Sequence, residues 1–368
     1  MKIVHFADLH LDATFAWMGT RDPDAARRRR QGLRGTLRRI AQLTVDEHAD
    51  ALLCAGDLYE HDHFTPDTVE FVQSVFEELH PILVYVAPGN HDWFGPESLY
   101  RQARWTPNVH VFSTDRLEAA PLTEGLTLWG GAHVVPANSD NFLDRFKVDR
   151  GGTHIALFHG SDQTAFFQQG QGKAPHAPFR PEQIFEAGLH HAFVGHFHMP
   201  ADTTTHTYPG NPDPLNFGEE GDRGAVVATI HPDGSVQRVR HRVASTEAVD
   251  MTVDVTGCTS VDAVARQVRT TVGEFRGVAR ITLIGSLEPS VDLRLSDLYA
   301  ATERLQGSSF RLGKLQHAYD LSRLVEDRTV RGQFVQEVLA SGLPEGEIRS
   351  ILATGLRALD GRADLGAV

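Results

Sequence analysis

The sequence predicts an α/β protein with a layered core, followed by a small α+β domain and a C-terminal helical segment. Three observations carry this. First, short apolar runs over 3–7, 51–55, 82–87, 155–158 and 192–194 each give way at once to polar or glycine residues, with amphipathic stretches around 24–48, 67–79 and 181–188 between them. That alternation is the rhythm of strand, crossover helix and strand. Second, the apolar runs near 126–135, 224–231 and 236–243 have few helical stretches between them, which suggests a second sheet packed against the first. Third, the pattern restarts after 243–246.

The restart marks a domain boundary. Residues 1–243 form the first domain in this reading, 247–320 the second and 321–368 a helical tail. In the second, Val249, Met251, Val253 and Val255 alternate with polar residues as in a strand, and Val261, Val264, Ala265, Val268 and Val272 follow at helical spacing. A strand over 278–284, a helix over 295–305 and a third strand over 310–315 complete it. In the tail, Val330, Phe334, Val335, Val338 and Leu339 mark one amphipathic face. Gly342-Leu343-Pro344 breaks the helix, and Ile348, Ile351, Leu352, Leu356 and Leu359 mark another. The stretch 161–180 is rich in Gln, Gly and Pro and reads as a long loop.

Composition bounds the function. The chain has 368 residues, 41% of them hydrophobic, enough for ordinary packed cores in two or three domains. The net charge of -13 argues weakly against a nucleic-acid binder and against adhesion to anionic membranes. No apolar run is long enough to span a bilayer. Cys54 and Cys258 make no disulfide framework, and the N-terminal residues lack the apolar stretch of a signal peptide. A cytoplasmic location is expected.

Five polar clusters stand at strand ends: Asp8-Leu9-His10, Gly56-Asp57, Gly89-Asn90-His91-Asp92, His159-Gly160 and Gly195-His196-Phe197-His198. Ligands bind at the carboxyl ends of parallel strands, and parallel strands would bring all five to one edge. Carboxylates, imidazoles and an amide gathered there have one economical use, which is to hold metal ions. The donor mix suits Mn, Fe or Zn better than an all-oxygen Mg site. There are too many donors for one ion, and Asp57, with two carboxylate oxygens, is the natural bridge between two. A pair of divalent ions clamps both oxygens of an in-line displacement at phosphorus and attracts a phosphodiester anion.

The ordered set resembles the calcineurin-like metallophosphoesterase superfamily and, within it, the nuclease subunits of SbcD and YhaO type. The resemblance covers residues 1 to about 243. It extends to His159-Gly160-Ser161, Ala177-Pro178-Phe179, Tyr208-Pro209-Gly210-Asn211 and Phe217-Gly218-Glu219-Glu220. It implies a β-sandwich core flanked by helices. It also implies one metal on Asp8, His10, Asp57 and His198, and a second on Asp57, Asn90, His159 and His196. His91 would act as general acid or transition-state stabiliser, and manganese would be the usual ion. The activity implied is exonuclease and endonuclease cleavage of DNA in repair or processing. The implied assembly is a homodimer with a coiled-coil ATPase of SbcC or YhaN type, docked by the terminal helices, while the second domain caps the site and guides DNA. This chain carries no P-loop motif, so ATP hydrolysis would belong to the partner.

Three points stay open. Three residues after Asp57 the related enzymes carry aspartate or histidine, and here stands Glu60. It is a carboxylate for His91 or an exposed loop residue, with His61 and His63 as substitutes nearby. Arg27, Arg30, Arg34 and Arg38 share one helix face, either a phosphate-contacting stripe or a solvated surface. The same metal centre would also serve a phosphodiesterase for small or cyclic-nucleotide substrates. A scaffold that has lost its chemistry is the third reading, disfavoured because no ligand position is missing.

Overall fold

The computed structural model describes residues 1–16, 18, 23–137, 139–165 and 175–361. The middle of the long loop expected over 161–180 therefore lies outside the described residues. The chain folds as two compact units, Met1–Glu247 and Ala248–Val368. The stretches 247–320 and 321–368, read separately from the sequence, thus fall in one unit.

The first unit is built from two six-stranded sheets. One contains β1 (Lys2–Phe6), β2 (Ala51–Cys54), β3 (Leu83–Val86) and β4 (Val109–Val111), with β11 (Gly224–Ile230) and β12 (Val236–Arg242) beyond β1, in the order β12-β11-β1-β2-β3-β4. From β1 to β4 the pairing is parallel; β11 joins β1 antiparallel. The other sheet runs β5-β6-β7-β8-β10-β9, from β5 (Glu118–Thr123), β6 (Leu126–Gly130), β7 (Thr153–His159), β8 (His191–Gly195), β9 (Ala201–Asp202) and β10 (His206–Tyr208). Its central strands β6, β7, β8 and β10 are parallel.

Side chains alternate across each strand. Ile3, Ala7, Leu53 and Tyr85 from the first sheet therefore meet Leu128, Ile155, Leu157 and Phe193 from the second in a buried layer between them. Helix α1 (Pro23–Asp46) buries Leu33, Leu37 and Ile40 and packs on β1 and β2; α2 (Pro66–Glu77) lies beside α1. α3 (Leu99–Gln102) and α4 (Glu182–Glu186) are short.

This corrects the sheet membership expected from sequence. The runs at 224–231 and 236–243 extend the first sheet rather than forming a second, whereas β7 and β8 belong to the second with β5 and β6. The five clusters accordingly come from two sheets. An apolar run specifies burial but not its hydrogen-bonded neighbour.

In the second unit β13 (Ala248–Asp254), β14 (Val278–Leu287) and β15 (Gly307–His317) form a parallel sheet in chain order. The crossovers are α5 (Val261–Val272), capped by the Ser260 hydroxyl, and a 3-10 helix over Leu295–Thr302. Val264, Val268, Ile281, Leu283 and Leu298 fill its core. α6 (Leu321–Glu326), α7 (Val330–Leu339) and α8 (Glu345–Leu359) gather around Val335, Leu352 and Leu356.

Candidate metal centre

The residues after β1, β2 and β3 are laced together by backbone. Asp8 N donates to Gly56 O at 3.0 Å and His10 N to Asp57 O at 2.9 Å. Asp8 (φ 55°), His10 (φ 51°), Asp57 (φ 52°) and His196 (φ 108°) all hold left-handed backbone. Such conformations are costly for residues with a Cβ and collect at functional sites. Gly56 and Gly89 make the close approach possible. A Cβ on Gly56 (φ +85°) would lie 2.6 Å from Gly89 N, and one on Gly89 would run into Asp57.

Asp57 is the hub. Its Oδ2 lies 3.3 Å from His159 Nε2 and 3.7 Å from His10 Nε2, and its Oδ1 accepts His91 N at 2.8 Å. Burial opposes its charge, but the facing His159 and His91 win and hold its pKa well below the carboxylate range.

Two donor groups flank this hub. Asp8, His10 and His198 bring one ligand atom each within 4.8 Å of one another, and so do Asp57, His159 and His196. Asn90 joins the second group, its Oδ1 3.1 Å from His159 Nε2. His196 belongs to the same shell through its backbone too, its N–H donating to both Asp8 oxygens at 3.1 Å. All the ligand candidates read from the sequence therefore lie in one region, at the carboxyl ends of strands from both sheets.

The donor set fits divalent ions. His159 donates Nδ1–H to Ala55 O at 2.8 Å, and its Nε2 faces the oxygens of Asp57 and Asn90, where it carries a proton or, without one, offers a lone pair to a cation. Electron pairs converging in a buried site require a proton or a cation. Burial would lower the His159 pKa, yet Asp57 carries it up to about 9. His10 Nε2 is buried with no hydrogen-bond partner among the described residues. Its Nδ1 donates to Glu60 Oε1 at 2.7 Å, and His198 Nδ1 donates to Glu219 Oε1 at 2.8 Å. A carboxylate behind an imidazole fixes the tautomer and leaves Nε2 free to ligate.

His91 stands apart. Its side chain is 46% exposed whereas His10 and His159 are buried, so it faces the opening. Burial would lower its pKa, but Asp57 and Glu60 outweigh that and raise it to about 9. Glu60, pulled down to about 2 against its own burial by His10 and His91, is charged. His61 and His63 do not take its place: the His61 ring packs 3.9 Å from that of Trp93, and His63 lines the outer pocket.

Sequence reasoning assigned no role to Asp92 and Glu219. Asp92 is wholly buried and accepts from Asp57 N (3.0 Å), Leu58 N (2.7 Å), Gly89 N (2.6 Å) and the Tyr100 hydroxyl (2.5 Å). Burial and the Asp57 charge raise its pKa to about 6. Its place directly after Asn90-His91 was the available signal. Glu219 also accepts Leu215 N at 2.7 Å and Asn211 Nδ2 at 2.6 Å. Nothing short of folding brings it to His198. In the arginine stripe, Arg34 is bound to Asp67 and Thr68 and, with Arg38, lies over the Phe71 ring. These two are largely engaged within the chain.

The sequence pattern of calcineurin-like phosphoesterases matches residues 1–200. Among curated proteins the chain is 27% identical over 287 residues to the uncharacterized metallophosphoesterase YhaO of Bacillus subtilis, covering 75% of this chain and 68% of that protein. It is 26% identical over 251 residues to the DNA double-strand break repair protein Mre11 of Methanopyrus kandleri, covering 61% of this chain and only 52% of that protein, about half its length. Among solved structures, TT1561 of Thermus thermophilus aligns with 65% of this chain and 98% of its own, at 12% identity and a TM-score of 0.40.

Proposed function

This chain belongs to the calcineurin-like phosphoesterase family, and from that membership we propose that it is a metal-dependent DNA nuclease subunit hydrolysing phosphodiester bonds. The observation that carries the reading is the arrangement around Asp57: it belongs to one donor group and faces His10 of the other at 3.7 Å, with an exposed His91 beside them. The similarity to Mre11 supports DNA as the substrate.

When bound, two divalent ions, manganese by preference, would neutralise the phosphate and acidify water at neutral pH. Asp8, His10, Asp57 and His198 would hold one, and Asp57, Asn90, His159 and His196 the other. The remaining work falls to the chain. Glu60 accepts His91 Nδ1–H, so the second imidazole proton sits at Nε2 and points away from the carboxylate. The Glu60 hydrogen bond favours the protonated ring, and His91 in that form can give the Nε2 proton to the departing oxygen.

As a complex, the reading includes a homodimer with a coiled-coil ATPase of SbcC or YhaN type in the cytoplasm. Apolar residues left exposed on the terminal helices, Val330 and Ile351 among them, support a docking role. Among the described residues no helix is long and apolar enough to cross a membrane.

The test is cleavage of single- and double-stranded DNA by the Mn-loaded protein, beside a small diester such as bis(p-nitrophenyl) phosphate. His91→Ala should keep its metal and lose cleavage by about 100- to 10,000-fold. A second reading, a small-molecule phosphodiesterase, is favoured by the acidic net charge of -13. Turnover of the diester with none of DNA, even with an ATPase present, would select it.

A further inference from the structure

The opening beside His10, His91 and His198 has outer walls as well as a metal side. Phe15 on one flank, with Leu215 and Asn216 on another, encloses with those histidines a cavity of about 400 Å³. That lies within the range of roughly 300–1,000 Å³ in which small molecules bind, and it extends the site beyond the histidines that would face a phosphate.

Both walls are fastened to one side chain. Arg29 of α1 places its guanidinium 5.2 Å from the centre of the Phe15 ring. Its Nη2 donates to Asp213 Oδ1 at 2.8 Å and to Pro214 O at 2.5 Å, directly ahead of Leu215. Its Nη1 donates to the hydroxyls of Ser245 and Thr246. Arg29 and Asp213 are 3% and 1% exposed, so this is a buried tie rather than a surface ion pair. Asp213 is itself held by Thr36 Oγ1 at 2.7 Å and Ser245 N at 2.5 Å. Phe15 has left-handed backbone (φ 48°) that surrounding contacts must maintain. The Leu215–Asn216 wall is tied to the metal side as well, through Glu219, which also accepts from His198.

We infer that Arg29 is a positioning residue that sets the width of this pocket, and that the pocket takes the nucleoside next to the scissile phosphate. The inference rests on the nuclease reading above. Beside aromatic Phe15 and aliphatic Leu215 the lining carries Asn216, Thr14, Glu60 and His63, a mix that suits a flat heterocycle with polar edges. Only a planar, forked cation can face the Phe15 ring and bond Asp213, Pro214 and Thr246 together, and lysine cannot.

The test is calorimetric binding of thymidine 5′-monophosphate and of inorganic phosphate to the Mn-loaded full chain. The wild type should bind the nucleotide about tenfold more tightly than phosphate, as base contacts of this kind allow. Arg29→Lys, which keeps a charge opposite Asp213, should bring that ratio close to one. Phe15→Ala, which leaves the ion pair whole, should do the same, and it carries the test if the lysine variant fails to fold. A wild-type ratio of one, or an unchanged ratio in the folded variants, would overturn the inference. A wild type that prefers the nucleotide yet cleaves neither DNA nor small diesters would instead sink the nuclease reading and leave the pocket standing.

Discussion

Glu60 and His91 are joined by a 2.9 Å hydrogen bond from Nδ1 to Oε2, and the other oxygen of that carboxylate receives His10 Nδ1 at 2.7 Å. One side chain thus orients both a candidate metal ligand, His10, and the proposed proton donor, His91. The longer reach of glutamate over aspartate is what lets it serve both.

Glu60→Gln should lower kcat about 10- to 100-fold, the usual cost of removing a carboxylate behind a metal-site imidazole. Glu60→Asp should lose nearly as much, because the shorter chain cannot meet both rings. Steady-state rates on a small diester check this, and equal rates in both variants and the wild type would refute the bridging role.

Asp92 holds the loops after β2 and β3 against each other through four accepted hydrogen bonds. Asp92→Ala strands buried backbone donors, each costing about 1–3 kcal/mol when unpaired. The expected loss of unfolding free energy in urea is about 3 kcal/mol or more, accompanied by weaker metal binding. Tyr100→Phe removes one of the four and should cost about 1 kcal/mol.

His5 on β1 is fully buried between the sheets, with neither ring nitrogen hydrogen-bonded among the described residues. Its burial, with Arg240 and His191 nearby, holds its pKa well below the ordinary value. His191 is likewise lowered, to about 3, by burial and Arg238. The unfolded chain therefore takes up protons that the folded chain refuses. For these two histidines the contribution to stability is complete above about pH 6.5 and falls as the pH drops below it. His5→Phe should match the wild type near pH 8 and exceed it by about 2 kcal/mol at pH 5. Urea unfolding at the two values measures the difference, and parallel acid sensitivity in both proteins would contradict it.

The terminal helices offer a separate test of the proposed assembly. Ile351 and Leu359 on α8 are exposed, while Leu352 and Leu356 are buried in the helical cluster. Ile351→Glu with Leu359→Glu should abolish co-purification with a coiled-coil ATPase and leave hydrolysis of the small diester intact. Undiminished co-purification would place the partner elsewhere.

The strand ends were legible because each buried run stops abruptly at polar residues: Cys54 and Ala55 lead to Gly56-Asp57, and Val86 and Ala87 to Gly89-Asn90. The amphipathic faces of α1 and α5 were legible from spacing alone. Pairing between sheets was not, since nothing in the run 224–231 says that it will lie antiparallel beside β1. Glu60 was offered from the sequence as a carboxylate for His91, but its bond to His10 and the role of Glu219 were hidden for the same reason. Glu60 and Glu219 act on histidines 50 and 21 residues away, and only the fold closes those distances. Arg29, hidden among four consecutive arginines, is told apart by burial alone.

The central claim is a two-ion centre bridged by Asp57, and anomalous diffraction from crystals soaked in manganese tests it most directly. Two peaks are predicted, one in contact with His10 and His198, the other with Asn90, His159 and His196, and both touching Asp57. A single peak, or none among these side chains, would contradict the account.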